Sequence, residues 1–449
     1  MIAERVSVES KARKKGRKKE RIKYFEMARG DIKRMYKTPK EIERVTAIFD
    51  DAYEQTRKRE IKIIRKPNRI KNFLVRWKIR FKYGIHWSKP LYPLRLIRNY
   101  SLSFIYHLLG KEKHVFRGIE FALTFRCNFT CHHCLCANID ESNTKKELVP
   151  AEYRKIVKEA MRLGATTFGM EGGEPFMKKN WVEIVESWQP HYNHIQASSN
   201  GYLFDEKVAE KCSELGVDTI NFSLDSGIPE LHDIFRQKRG SYERVMRAIE
   251  LCDKYKIKVI LNTVVSKANL YTDGLIRLFE FAEKRKLFVN VLFAKDVGEF
   301  KGKDGTLTKE DFEAFNRLAE PYNYWHIHHE GKLKSNNGGT GCPGVKEMVN
   351  MTPYGDVINC ANNHVYLGNV RDESLSSIRK RALTESPFGK YRPCFLTKDE
   401  DFMNIYYPLL KERGNMTLDE FRNALSQYEK TNDKEVYQEL CSSCSSTCN

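Results

Sequence analysis

Cys127, Cys131 and Cys134 fall within eight residues, in the run Cys127-Asn-Phe-Thr-Cys131-His-His-Cys134. Three thiolates in one loop can grip one metal centre, and they are one ligand short of a four-iron cluster, which leaves one iron open to an outside ligand. The same run also admits a zinc ion with His132 or His133 as fourth ligand, or plain buried thiols. More cysteines follow far downstream: Cys342, Cys360, Cys394, and then Cys441, Cys444 and Cys448. Cys136, Cys212 and Cys252 read as ordinary thiols, the last two on helix faces.

The elements that must position these residues begin at 120. Short β-rich runs at 120–125, 166–170, 194–198, 219–224, 258–265 and 288–293 alternate with helical candidates at 151–163, 181–188, 206–215, 242–255 and 273–286. Six strands with helices between them imply parallel βαβ units, hence an α/β fold with right-handed crossovers. Reactive groups in such folds collect on loops at the C-terminal strand ends. The first strand runs into Cys127, the second into Glu171-Gly172-Gly173-Glu174-Pro175, the third into Ser198-Ser199-Asn200-Gly201 and the fourth into Ser223-Leu224-Asp225-Ser226. Glycines in the second loop let backbone approach a ligand closely. Glu171, Asp225 and Asp296 lie at strand ends, where a substrate would come. His326, His328 and His329 read as a solvated strand edge. After Lys295 the alternation stops, and a glycine-rich run at 335–344 leads into the downstream cysteines.

The charge divides the chain differently. Residues 1–115 hold 33 Lys and Arg against 12 Asp and Glu, while the whole chain balances at +19, so the entire excess sits in this first quarter. Residues 11–21 are a block of like charge. Residues 31–64 read as charged helices without a strong apolar face. Farther on, Ile70, Phe73, Leu74, Trp77 and Phe81 recur at helical spacing, with Arg69, Lys71, Arg76, Lys78, Arg80 and Lys82 around them. That pattern suits a helix lying on an anionic surface, or one packed on its own protein with the basic side in water. Residues 91–109 add a second apolar helical stretch. The longest apolar stretches, such as 101–110, fall short of the ~18 residues a membrane span needs, and no apolar leader pattern opens the chain. Twelve cysteines in an unexported chain suit metal ligands and core thiols. The expected place is the cytoplasm, with peripheral membrane contact through residues 1–110. The division expected is a basic, largely helical extension over 1–115, a core over 116–300 and a small cysteine-bearing domain over 301–449.

From about 118 to 296 the sequence resembles the radical SAM superfamily. Its three-cysteine spacing after the first strand is present, with His133 where an aromatic residue usually precedes the third cysteine. The resemblance implies a partial (β/α)6 TIM-type barrel and a [4Fe–4S] cluster on Cys127, Cys131 and Cys134. It implies S-adenosylmethionine (SAM) held by Gly172, Gly173 and Glu174, by Ser199 and Asn200, by Ser223 with Arg236, and by Asn262 and Leu292. It further implies reductive cleavage of SAM to a 5′-deoxyadenosyl radical that abstracts a substrate hydrogen, fed by a one-electron reductant of the flavodoxin or ferredoxin type.

Downstream, Cys342, Gly355 and Cys360, with Leu367-Gly368-Asn369-Val370 and Ser374-Leu375, resemble the SPASM or Twitch domain appended to many such enzymes. That likeness implies an auxiliary [4Fe–4S] cluster. The later spacing departs from the full pattern, and the preferred ligands are Cys342, Cys360, Cys441 and Cys444, with Cys448 or Cys394 as replacements. A structural zinc on the last three cysteines is the alternative. Three functions are then in view. The first is radical modification of a peptide or protein, the commonest use of SPASM-bearing relatives. The second is the same chemistry on a membrane-associated lipid or glycan precursor. The third, a zinc-bearing nucleic-acid-binding protein, is opposed by the ordered barrel motifs, and no nucleic-acid partner is expected.

Overall fold

A computed structural model describes residues 27–58, 89–109, 115–136, 145–295, 307–327, 342–389, 394, 396, 400–413 and 416–431. The apolar face at 70–81, Asp296, His328, His329, Cys441, Cys444 and Cys448 lie outside the described residues.

The described strands are β1 (Gly118–Thr124), β2 (Thr167–Gly172), β3 (His194–Ser199), β4 (Thr219–Ser223), β5 (Lys258–Val265), β6 (Phe288–Phe293), β7 (Trp325–Ile327), β8 (Met348–Met351), β9 (Asp356–Cys360), β10 (Asn363–Asn369) and β11 (Met416–Thr417). They form one sheet in the order β11-β10-β9-β8-β1-β2-β3-β4-β5-β6-β7. Strands β1 to β7 are parallel and neighbour one another in chain order, the arrangement that successive βαβ units produce. The first six are the expected strands, and the expected helices lie between them.

Apolar residues alternate along these strands, and their apolar side is buried. Ile119, Phe121, Leu123, Phe168, Met170, Ile195 and Ala197 belong to the main core with residues of the surrounding helices. In the helix Pro150–Arg162, Tyr153, Ile156, Val157 and Ala160 recur at i, i+3, i+4 and i+7 and are buried. Pro150 starts it at a position where a missing N–H costs nothing. Phe121 meets the Trp188 ring at 5.0 Å and the edge of Tyr153 at 5.2 Å, tying β1 to two helices. The other side of each strand carries the polar set described below.

Three features differ from the sequence reading. The alternation does not stop at Lys295: the helix Lys309–Ala319 leads into β7, parallel to β6. Three residues are too few for a periodicity signal. A helix at Pro229–Arg236, absent from the expectation, follows β4. Of the region 31–64, the described part, 31–58, does have an apolar face. Ile32 and Tyr36, with Val45, Phe49 and Ala52 of the helix Pro39–Lys58, pack on Ile228, Leu231 and Ile234. That stripe is only three residues wide among many charges, yet it suffices because its counterpart is apolar. Burial of Phe49 alone is worth about 1.5–3 kcal/mol.

Beyond β1 the sheet continues. β8 pairs parallel with β1, β9 and β10 form an antiparallel pair, and β11 closes that edge. The helix Leu91–Leu108 and Lys89 before it are held to the protein through Tyr92, buried against His194, and through hydrogen bonds. Lys89 Nζ donates to the Asn193 carbonyl (2.9 Å), the Gly216 carbonyl (2.8 Å) and the Asp218 carboxylate. Arg95 reaches the carbonyls of Tyr192 and Ala165, and Asn99 Nδ2 donates to the Gly164 carbonyl.

Candidate active site

The cysteine loop leaves the C-terminal end of β1 and is fixed by the loop after β2. Gly173 N–H donates to the Thr124 carbonyl and Glu174 N–H to the Arg126 carbonyl, both at 2.9 Å. Two glycines make this approach possible. Gly172 has φ +121°, and a Cβ on Gly173 would stand 2.2 Å from the Arg126 carbonyl oxygen.

The Glu174 carboxylate is fully buried and committed. It accepts from Ser199 Oγ (2.9 Å), Asn200 N–H (2.8 Å) and Phe176 N–H (3.3 Å), so it ties the second loop to the third. Burial pushes its carboxyl up to about 7. Asn200 Nδ2 in turn donates to Asn128 Oδ1 (2.8 Å) and stands 3.8 Å from Cys127 Sγ. Three strand ends are thereby locked around the cysteine loop.

Arg236, at the end of the helix Pro229–Arg236, supplies the positive charge. Its Nε donates to Asp225 Oδ2 at 2.6 Å, and its Nη1 lies 4.0 Å from Cys131 Sγ. Asp225 is held on its other oxygen by Val264 N–H (2.8 Å). Cys127 and Cys131 lie within electrostatic reach of each other, as do Cys131 and Cys134. Burial pushes the Cys127 and Cys131 thiols up to about 11, so without a metal both are neutral. A bound metal centre would deprotonate them.

The two histidines of the loop turn elsewhere. His132 Nε2 meets Asp31 Oδ2 at 2.6 Å, joining the loop to residues 27–35, and the His133 ring stacks on Phe235 at 4.5 Å. Among the described residues no three Cys, His, Asp or Glu side chains converge on a single-ion site. Three free thiols in one loop, cradled by glycine backbone and faced by an arginine, fit a four-iron cluster with one iron left open.

The remaining expected residues ring the lumen. Ser223 pairs in register with Asn262, Asn262 Oδ1 accepts from Asn290 Nδ2 (2.9 Å), and Leu292 is the next inward position on β6. Deeper in, Gln196 Nε2 donates to Glu120 (2.6 Å) and Ser198 Oγ to Glu171 (3.3 Å). Burial raises both carboxyls, Glu171 to about 7, and the charge of Glu171 raises Glu120 further.

A second thiol group lies beside this lumen. Cys342 is buried and Cys360 partly so; the two act electrostatically on each other, and Cys394 acts on both. Lys295 Nζ stands 3.8 Å from Cys394 Sγ, and the Glu171 charge reaches Cys360. Sequence reasoning ranked Cys394 only as a replacement; the long gap between it and Cys360 hid their proximity. It also left Asp225 without a partner and passed over Glu120. The signal for Glu120 was a charged residue at an inward position of an otherwise apolar strand.

Residues 121–270 match the profile of the Radical SAM superfamily, and the chain contains a domain of that superfamily. Fe-coproporphyrin III synthase of Methanosarcina barkeri is 28% identical over 218 residues, 48% of this chain and 53% of the relative. A GTP 3′,8-cyclase of Clostridium perfringens is 26% identical over 314 residues, covering 64% of this chain and 95% of the cyclase. The chain thus spans about half the length of the first relative and nearly all of the second. Among solved structures, Streptococcus suis SuiB bound to S-adenosylmethionine shares the fold, with a TM-score of 0.51, 15% identity, and 71% of this chain and 76% of SuiB covered.

Proposed function

We propose that the chain is a radical SAM enzyme that cleaves S-adenosylmethionine reductively and abstracts a hydrogen from a peptide or protein. The observation that carries the reading is the mouth of the barrel. There, three cysteines of one loop are pinned by a glycine turn and faced by Arg236, at the ends of strands whose inward side carries Glu120 and Gln196. Cys127, Cys131 and Cys134 would hold the [4Fe–4S] cluster. When bound, cluster and SAM supply a 5′-deoxyadenosyl radical. The chain's own residues do the rest: Gly172 and Gly173 let the second loop press against the cysteine loop, Glu174 fixes Ser199 and Asn200, and Arg236 offsets thiolate charge. Cys342, Cys360 and Cys394 would hold an auxiliary cluster, with a fourth ligand among Cys441, Cys444 and Cys448. Residues 1–115, 116–300 and 301–449 then serve as extension, radical core and auxiliary region.

Membership in a superfamily does not fix a substrate, and the relatives act on different ones by name. The peptide choice takes support from SuiB, solved with its precursor peptide SuiA on the same fold. Anaerobic protein given SAM and a flavodoxin-type or chemical one-electron reductant should release 5′-deoxyadenosine. With a true peptide substrate deuterated at the reacting carbon, the label should appear in that product. Unlabelled product from every peptide tested would count against the peptide reading.

A second reading, a membrane-associated lipid or glycan precursor, is favoured by one observation. The helix Leu91–Leu108 is held to the protein by Tyr92, Arg95 and Asn99 and leaves Leu94, Ile97 and Leu108 exposed at 60%, 62% and 68%. Leu91 and Ile105 extend that stripe. No helix among the described residues is long and apolar enough to cross a membrane. An exposed apolar face, preceded in the sequence by ten Lys and Arg between 59 and 88, suits attachment in the plane of an anionic surface. Each basic residue near such a surface adds about 1 kcal/mol. Sedimentation with anionic vesicles at low salt should capture the protein, and high salt should release it. Protein that stays in the supernatant at low salt would remove the support for this reading.

A further inference from the structure

The inward side of the strands presents hydrogen-bond acceptors that no described residue satisfies. Among the described residues, the buried side-chain atoms without a partner at inward positions of β1 to β6 are Glu120 Oε2, Asn221 Oδ1 and Asn290 Oδ1. The two amide oxygens are acceptors, and Glu120 Oε2 becomes one when its raised carboxyl ionises. Glu120 and Asn221 are each only 8% exposed. They are connected across the strands: Asn221 pairs in register with Ser198, Ser198 Oγ donates to Glu171 Oε1, and the charge of Glu171 reaches Glu120. Room for the deepest carboxylate is built in, because a Cβ at Gly169 would stand 1.6 Å from Glu120 Oε2.

Buried acceptors left unpaired are costly, and a site walled by them selects a ligand rich in donors and rejects one without. Burial holds both carboxyls up, and the charge of Glu171 raises Glu120 further, so each gives up its proton most readily beside a positive charge, which adds a preference for a cation. We propose that Glu120, Glu171 and Asn221 form a recognition site for a cationic nitrogen of the substrate, an ammonium or guanidinium group. The proposal rests on the lumen's being the reaction chamber of the radical enzyme proposed above. The cation belongs either to a lysine or arginine side chain of a peptide or to the amine of a small molecule; the chemistry recognised is the same.

The test uses the reconstituted, full-length protein under anaerobic conditions. Butylguanidinium and butylammonium are titrated beside neutral butyramide and anionic butyrate, with binding followed by calorimetry. At least one cation should bind ten-fold or more tightly than both other probes, and Glu120→Gln and Glu171→Gln should each erase that preference. Asn221→Asp should tighten cation binding, which keeps the proposal testable should a glutamate variant fail to fold. Butyramide binding as well as the cations, or cation preference unchanged in a folded Glu120→Gln, would overturn it. Titrating Gly-Gly-Arg-Gly-Gly against butylguanidinium separates the sources: tighter binding of the peptide assigns a peptide cation, and tighter binding of the free probe a small molecule. The radical reading fails separately. 5′-Deoxyadenosine release by the wild-type protein without cation preference refutes this site alone, whereas cation preference without any SAM cleavage refutes the radical chemistry on which it rests.

Discussion

Arg236 Nε donates to Asp225 Oδ2 at 2.6 Å, and both side chains are buried beside Cys131. Losing one partner strands the other charge, whereas losing both together leaves none. Arg236→Leu should therefore cost about 3–5 kcal/mol of stability in urea denaturation. Asp225→Leu with Arg236→Leu should cost less than the two single changes summed. Simple additivity would show that the pair does not interact as placed.

The glycine turn offers a local test. An alanine at 173 puts its Cβ against the Arg126 carbonyl, which precedes Cys127 directly. Overpacking of this kind costs about 1–3 kcal/mol, and here it pushes the cysteine loop. Gly173→Ala should lower both stability and iron retained after reconstitution. Wild-type iron content and melting would show that the loop does not depend on this contact.

The lumen carboxyls predict a pH dependence. Their folded pKa values lie above those of the unfolded chain, Glu171 at about 7. Between about pH 5 and 7 the folded state then binds protons that the unfolded state has released, so stability falls as pH rises through that window. Glu120→Gln with Glu171→Gln should flatten the fall, leaving the share that belongs to Glu174, also raised to about 7. Urea midpoints at pH 5 and 7.5 measure this; an equal fall in both proteins would contradict it.

The helices before the barrel make a fourth prediction. Phe49 is buried against Ile228, Leu231 and Ile234, on the helix that ends in Arg236. Phe49→Ala should cost about 3–5 kcal/mol locally and raise amide exchange over 229–236. Unchanged exchange there would mean that the N-terminal helices do not brace the site.

Much of this was legible in the sequence because strand and helix periods differ, and because glycine, serine and asparagine mark strand ends. All six central strands were readable, β5 and β6 to the residue. What escaped was short or distant. β7 has three residues, and the helix Pro229–Arg236 has eight, too few for a period to stand out. The grouping of Cys394 with Cys342 and Cys360 depends on chain folding over a long gap, which spacing cannot report. The packing of residues 31–58 depended on the partner surface, since Val45, Phe49 and Ala52 alone are a weak stripe. The family likeness points Glu174 at SAM, while its carboxylate here is spent on Ser199, Asn200 and Phe176.

The central claim is that Cys127, Cys131 and Cys134 hold the cluster that cleaves SAM. Protein reconstituted anaerobically with iron and sulfide is assayed for iron and for 5′-deoxyadenosine, beside a variant with all three cysteines changed to alanine. The wild type should bind about eight irons, four per cubane cluster, and form 5′-deoxyadenosine, while the variant should lose about half the iron and all of the product. Iron-free protein that holds stoichiometric zinc and stays fully functional, or a triple variant that still cleaves SAM, would contradict it.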